Sequence, residues 1–115
     1  MTVHMYGIPN CDTIKKARKW LTEHAIDYVF HDYKKEGVDA ALLQAWCAKV
    51  GWEVLLNKRG TTWRKLSDAD KNALDASKAQ ALLIEHVSMI KRPVLLCGEH
   101  IEVGFSVAAY EVLFQ

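Results

Sequence analysis

The sequence predicts an α/β domain in which a β-α-β unit is followed by a helical insertion and then by a β-β-α unit. Three observations lead to this prediction. Two short β-prone runs flank one amphipathic run within residues 2–33. Helical spacing of apolar residues dominates residues 38–89, and short β-prone runs return from residue 94 onward. Changes of hydrophobic period of this kind separate strands from helices.

The first unit begins with a strand over residues 2–6. Residues 11–25 follow with helical spacing, and Asn10 and Asp12 suit the helix start because their oxygens can accept free N–H groups. The aromatic and β-branched run at 27–33 predicts a second strand. Two strands joined through one helix imply a parallel pair with a right-handed crossover.

The insertion begins after a predicted polar loop at 34–37. Residues 38–50 predict a helix that ends at Gly51, a residue suited to a C-terminal cap. The segment 57–65 is basic and turn-rich, so it is predicted as a loop. Further helical stretches are predicted at 52–56, 68–75 and 77–86.

The last unit starts at Pro93 and consists of strands at 94–97 and 101–103 and a final helix to residue 114 that Ser106 can cap. This order of elements is the thioredoxin order with extra helices between its two halves. We therefore predict a single thioredoxin-like domain over residues 1–115, with the helical insertion at about 38–89.

Composition limits the function classes. The formal net charge of +1 favours neither a nucleic-acid binder nor an acidic tail, and a monomer is expected. No apolar run is long enough to span a membrane, and the first residues do not form a signal peptide, so a cytoplasmic protein is predicted. The chain has three cysteines without a Cys-x-x-Cys pair, and its histidines are dispersed. Neither a disulfide framework nor a metal site is indicated.

Cys11 is the strongest candidate for chemistry. It follows a strand and opens a helix, where free N–H groups and the positive end of the helix dipole favour an anion such as a thiolate. Its thiol pKa should therefore be lowered, and Lys15, one turn on, can add to the effect. The alternative is a small buried apolar residue.

Arg59, Arg64 and Arg92 are candidate binders of an oxyanion, because a guanidinium grips such groups through two parallel hydrogen bonds. The alternative for each is a solvated surface charge. Arg92 precedes Pro93. The alternative for Pro93 is a proline at a strand start that simply protects the edge of the sheet. His4 is the histidine nearest to Cys11 in strand order, although the strand can point it away. Cys47 and Cys97 are interpreted as core residues.

The sequence resembles the ArsC family, the glutaredoxin-like arsenate reductases and their relatives, over nearly its whole length. The segment Tyr-Gly-Ile-Pro-Asn-Cys-Asp-Thr-Ile-Lys-Lys-Ala at 6–17 and the segment Ile-Lys-Arg-Pro at 90–93 carry motifs of the wider family. The run Arg-Gly-Thr-Thr-Trp-Arg-Lys-Leu within 55–66 is similar to the YffB branch. Val-Gly-Phe-Ser at 103–106 completes the match. The Spx regulators are also relatives.

The resemblance implies roles for matching residues. Cys11 matches the nucleophilic cysteine, and Arg92 matches the arginine that binds the oxyanion before a cis-proline, here Pro93. A second family arginine falls near Arg59, two positions earlier, and a third falls where this chain has Gly104. One anion ligand is thus absent and one displaced, which places arsenate specificity in doubt but not thiol chemistry.

These features predict a glutathione-dependent thiol oxidoreductase that uses Cys11 as its single nucleophile. No bound cofactor is expected. Glutathione is the predicted co-substrate, with glutaredoxin as a recycling partner and a small oxyanion or a mixed disulfide as substrate. No direct contact with nucleic acid or membrane is expected. The alternatives are an Spx-like regulator that binds the C-terminal domain of the RNA polymerase α subunit, and a thioredoxin-like domain with a vestigial cysteine.

Overall fold

A computed structural model describes residues 2–115. Its elements follow the predicted order, and several short helices lie in the middle of the chain. The elements are β1 (Val3–Gly7), α1 (Asp12–Glu23), β2 (Tyr28–Asp32), α2 (Tyr33–Glu36), α3 (Ala40–Val50), α4 (Trp52–Leu55), α5 (Thr61–Lys65), α6 (Asp68–Lys71), α7 (Ala76–Glu85), a 3₁₀ turn (Val87–Met89), β3 (Val94–Cys97), β4 (His100–Val103) and α8 (Val107–Leu113).

The four strands form one mixed sheet in the order β2-β1-β3-β4. β1 pairs with β2 in parallel, as the β-α-β prediction requires, and with β3 in the antiparallel direction. β3 and β4 form an antiparallel hairpin. Because β3 comes long after β1 in the chain, the centre of the sheet joins the two ends of the sequence.

The chain divides into two compact units. The first contains the residues up to Glu36 together with Arg92–Gln115, and the second is Gly37–Lys91. The second unit coincides closely with the helical insertion predicted at about 38–89. The prediction of a single domain over residues 1–115 stays a prediction.

The core of the first unit lies between one face of the sheet and helices α1 and α8. Alternate residues of β1 are buried, as expected for a strand with one covered face, whereas in β3 both Val94 and Leu95 are buried. The strand residues on the covered face pack against the apolar stripe of α1, whose members recur at the helical spacing of three and four. The buried set is Val3, Met5, Ile14, Ala17, Trp20, Leu21, Leu95, Cys97 and Tyr110.

The second unit is built on α3, α4 and α7, which contact one another. Leu43 and Trp46 of α3 and Leu83 of α7 are almost completely buried. Two backbone hydrogen bonds tie its end to its middle, because the Asn57 N–H donates to the Met89 carbonyl at 2.7 Å and the Lys91 N–H donates to the Leu55 carbonyl at 2.7 Å.

Two predicted loops turn out to contain helix. The segment 34–37 was expected to be a polar loop, but α2 covers most of it because the Asp32 carboxylate accepts the N–H groups of Lys34 and Lys35 at 3.1 and 3.2 Å. The turn-rich segment 57–65 contains α5. Such short helices lack a full amphipathic period, so hydrophobic spacing does not reveal them.

The predictions at helix ends are mixed. Ser106 does cap α8, since its hydroxyl accepts the Ala109 N–H at 3.1 Å. At α1, the N-cap is Cys11 and not Asn10, while Asp12 is in the first turn as predicted. In the described part of the chain, no helix has the length and apolar character that crossing a membrane requires.

Candidate functional site

Three strand termini lie together at one end of the sheet, where β1 and β2 end and β3 begins. β1 ends at Gly7 and leads to Cys11, and the parallel strand β2 leads at the same end to Tyr33. β3 runs in the opposite direction, so its start, next to Arg92, lies beside the end of β1. The topology thus brings together three side chains from distant parts of the sequence.

Cys11 is the residue from which α1 starts. Its backbone is extended, with φ −140° and ψ 129°, and its carbonyl accepts the Lys15 N–H at 2.9 Å to close the first helical turn. The side chain is half-buried and packs against the core of the first unit. The sulfur is therefore held at the first turn of α1 and is not sealed from solvent.

The surroundings of Cys11 favour its thiolate. Burial by itself raises the pKa of the thiol, but hydrogen bonds from the Ile14 N–H, from the Arg92 guanidinium and from the Thr13 N–H, together with the charge of Arg92, outweigh it. The net result is a pKa below that of an ordinary thiol. The thiolate is the nucleophilic form of cysteine, so this environment favours reactivity near neutral pH.

Arg92 reaches Cys11 from the turn before β3. The peptide bond between Arg92 and Pro93 is cis, in agreement with the expectation from the resemblance. Gly7 leaves the space that this arrangement needs, because a Cβ there would collide with the Ile14 side chain and lie 3.8 Å from the Arg92 Cβ. Gly7 therefore makes room for the Ile14 side chain of α1 at the end of β1, whereas the contact with Arg92 is an ordinary van der Waals distance.

Tyr33 completes the cluster and was missed by the sequence analysis. Its side chain is fully buried, and the Arg92 guanidinium hydrogen-bonds to it as well as to Cys11. Burial raises the pKa of Tyr33, the hydrogen bond and charge of Arg92 lower it, and the charges of Cys11 and Asp32 raise it again, with a net increase. The available signal was its position directly after β2, at the same end of the sheet as Cys11.

The other predicted anion-binding residues are not among the groups that lower the pKa of Cys11. Lys15 is exposed on α1, and its addition to the effect on Cys11 stays a prediction. Arg59 and Arg64 belong to the second unit, where the Arg64 guanidinium donates to the Arg59 carbonyl at 3.0 Å. Both arginine side chains are exposed, and their role in binding an anion also stays a prediction.

His4 faces away from Cys11. Its Nδ1 lies 2.9 Å from Nε2 of His31, and His31 stacks on Tyr6 with 4.3 Å between the ring centroids. Neighbouring residues of β1 alternate between faces, so His4 lies opposite the face that Val3 presents to α1. A direct role for His4 at the sulfur has no support.

Cys97 lies at the far end of the sheet from Cys11. In the pairing of β1 with β3, Cys97 is opposite Val3, whereas Val94 is opposite Tyr6 at the Cys11 end. Three strand positions separate Cys97 from that end, which corresponds to about 10 Å. Cys47 is in the second unit, and burial raises the pKa of its thiol. Among residues 2–115, no cluster of three ligand-type side chains suits a metal ion.

Comparison with known proteins agrees with this geometry. Residues 6–113 match the ArsC family. The chain belongs to the ArsC family. A solved structure of a YffB protein is 52% identical to this ArsC chain, with a TM-score of 0.93 and 96% of each chain covered. The predicted family and thioredoxin-like α/β fold are confirmed.

Two further relatives bear on function. A solved structure from Brucella melitensis, described as an arsenate reductase (ArsC) related protein, is 52% identical, with a TM-score of 0.79 and coverage of 100% of this chain and 96% of its own. The global transcriptional regulator Spx 1 of Lactococcus lactis is 26% identical over 106 residues, which are 90% of this chain and 82% of the regulator. This ArsC chain thus has an arsenate reductase-like fold that it shares with Spx regulators.

Proposed function

We propose that this ArsC-family protein is a glutathione-linked thiol oxidoreductase that works through one nucleophilic cysteine, Cys11. The observation that carries the proposal is the contact of the Cys11 sulfur with the Arg92 guanidinium and the N–H groups of α1. A reductase of this kind needs a thiolate at neutral pH beside a site for an anion. Cys11 and Arg92 together provide both.

The proposed reaction has two steps. In the first, the Cys11 thiolate attacks the glutathione sulfur of a mixed disulfide, the substrate leaves as its thiolate, and Cys11 is left joined to glutathione. In the second, an external glutathione thiolate attacks that disulfide, releases Cys11 as thiolate and forms oxidised glutathione. Overall, one external glutathione reduces the substrate, and the oxidised glutathione that leaves consists of that molecule and the glutathione that entered in the mixed disulfide.

An external thiol is proposed because of where the other cysteines lie. Cys97 is buried at the opposite end of the sheet, and the raised pKa of Cys47 makes it a weak nucleophile. A reducing cytoplasm supplies glutathione, and a glutaredoxin can take over the second step. The charge of Arg92 favours a substrate that carries a carboxylate or another oxyanion next to its reacting sulfur.

Mass spectrometry of the protein treated with oxidised glutathione tests the proposal. We expect one glutathione on Cys11, none on Cys11→Ser, and unchanged labelling of Cys47→Ser and Cys97→Ser. A parallel assay should show turnover of a glutathione mixed disulfide by all but Cys11→Ser. Turnover that survives in Cys11→Ser, or its loss in Cys47→Ser alone, contradicts the single-cysteine mechanism. Arsenate with glutathione and glutaredoxin, run beside it, tests the oxyanion substrate.

The second candidate is a binding protein related to the Spx regulators. The specific observation in its favour is the similarity to a global transcriptional regulator over nine-tenths of this chain. The partner in that case is the C-terminal domain of the RNA polymerase α subunit. Ile14 occupies the position of the second cysteine in a Cys-x-x-Cys pair that starts at Cys11. Binding of the polymerase domain would therefore not depend on a disulfide at that position.

A pull-down with the isolated polymerase domain separates the two candidates. Binding at micromolar concentration by both the wild-type protein and Cys11→Ser supports the regulator. No binding, combined with glutathione turnover that needs Cys11, supports the oxidoreductase.

A further inference from the structure

We propose that Tyr33 is a positioning residue that holds the Arg92 guanidinium against the Cys11 sulfur and thereby sets the preference of the site for anionic substrates. This inference rests on the proposed function, because it assigns a role within the same site. Tyr33 does not itself need to touch the substrate. It acts through Arg92.

The hydrogen bonds of Arg92 give the first argument. A guanidinium carries five N–H donors in a rigid planar fork and no acceptor, so its orientation is set by the acceptors around it. Cys11 and Tyr33 are two such acceptors on Arg92. A second acceptor on a fixed, buried side chain restricts the plane of the fork more than the contact with the sulfur does by itself.

The chemistry of a phenol gives the second argument. Tyr33 is fully buried and its pKa is raised, so its hydroxyl is neutral at physiological pH. A carboxylate at this position would orient Arg92 equally well but would cancel its charge. A neutral acceptor leaves the positive charge of Arg92 to act on the Cys11 thiolate and on an approaching anion.

The way in which Tyr33 is anchored gives the third argument. Tyr33 is the first residue of α2, and the Asp32 carboxylate fixes the first turn of that helix through the N–H groups of Lys34 and Lys35. A buried ring on a capped helix has few alternative positions, so its hydroxyl can serve as a fixed reference for Arg92.

The rates at which two alkylating reagents modify Cys11 report whether the charge of Arg92 is held next to the sulfur, and they involve no glutathione chemistry. Iodoacetamide is neutral and iodoacetate is an anion of almost the same size, so the ratio of their rates at Cys11 reports positive charge next to the sulfur. Peptide mass spectrometry assigns the modification to Cys11. In Tyr33→Phe we expect the ratio of iodoacetate to iodoacetamide rates to fall roughly fivefold, the effect of losing one hydrogen bond. The pH at which the alkylation rate is half-maximal should rise.

The chain contains a matched control. The Arg18 Nε donates to the Tyr28 hydroxyl at 3.0 Å, so Tyr28→Phe also removes one hydrogen bond between arginine and tyrosine within the first unit. Tyr28→Phe should leave the rate ratio and the pH profile of Cys11 at their wild-type values. Arg92→Gln gives the lower limit of the ratio.

The inference is overturned if folded Tyr33→Phe retains the wild-type ratio while Arg92→Gln loses it, or if Tyr28→Phe lowers the ratio as much as Tyr33→Phe does. Circular dichroism and thermal unfolding establish folding. Should Tyr33→Phe fail to fold, Asp32→Ala is compared with Asp32→Asn. Both variants remove the charge of Asp32, but only Asp32→Ala removes the side-chain acceptor of the Lys34 and Lys35 N–H groups, so the ratio must be lower in Asp32→Ala. Equal ratios in the two folded variants then overturn the inference. Because alkylation needs no glutathione, a failure of the proposed function leaves these outcomes separately readable.

Discussion

The Arg92 guanidinium hydrogen-bonds to the sulfur of Cys11, although the whole helical insertion lies between the two residues in the chain. The contact exists because β3 is antiparallel to β1, which places the start of one strand beside the end of the other. It also couples the charge of Arg92 to the ionisation of the thiol. Four predictions follow from this site and from the fold that supports it.

The stability of the protein should depend on pH through Cys11. Because the pKa of the thiol is lowered in the folded state, the thiolate stabilises the fold at a pH above the ordinary thiol value of about 8.5. This contribution is lost as the pH falls through the lowered pKa. In urea unfolding under reducing conditions, the difference between wild-type protein and Cys11→Ser should therefore grow from pH 6 to pH 9. A constant difference contradicts the shift.

Replacing Arg92 should separate its charge from its hydrogen-bond geometry. Arg92→Gln removes the charge, so the pH at which Cys11 alkylation by iodoacetamide is half-maximal should rise. Arg92→Lys keeps the charge but not the planar fork, so we expect an intermediate shift. Rates measured from pH 5 to pH 10 check the order. Equal profiles for all three proteins would show that the N–H groups of α1 alone set the pKa.

Gly7→Ala should destabilise the protein because the new methyl group collides with the Ile14 side chain. Overpacking of this kind costs about 1–3 kcal/mol of unfolding free energy. Gly60→Ala is the matched control, since Gly60 has φ −81° and its nearest neighbour on the Cβ side is 3.7 Å away. Denaturant unfolding of both variants gives the comparison, and equal stabilities would contradict the close approach at Gly7.

Ser106→Ala should weaken α8, because its hydroxyl accepts the Ala109 N–H at the start of that helix. Loss of an N-cap acceptor costs about 1 kcal/mol. Ser77 is exposed on α7 and does not cap it, so Ser77→Ala should change the unfolding free energy much less. A larger loss for Ser77→Ala than for Ser106→Ala would refute the assigned cap.

Much of the fold was predictable because its signals are local. The first strand, the α1 stripe and the hairpin of β3 and β4 each follow from residues that are near one another in the sequence. Helix α2 was not predictable, because one carboxylate, that of Asp32, caps a segment too short to show a helical period. Strand and helix boundaries shifted by one to a few residues for the same reason: the ends carry little pattern.

The site was predictable in part. Cys11 follows from its place at a helix start, and Arg92 from its place before Pro93. Tyr33 was not found, since its contact with Arg92 depends on which strand termini share one end of the sheet, and that is decided by pairing between distant segments. The same limit applies to Arg59, whose sequence neighbours do not tell what its side chain faces.

The pairing of β1 with β3 also has a consequence for the newly made chain. Translation delivers Cys11 early, but Arg92 and the strand that places it arrive only after the insertion has left the ribosome. Until then the thiol lacks its cationic neighbour, so its pKa should be closer to that of an ordinary cysteine. The lowered pKa of Cys11 thus depends on the late pairing of β3 with β1, and we expect the labelling rate of Cys11 in nascent chains to rise as the first unit is completed.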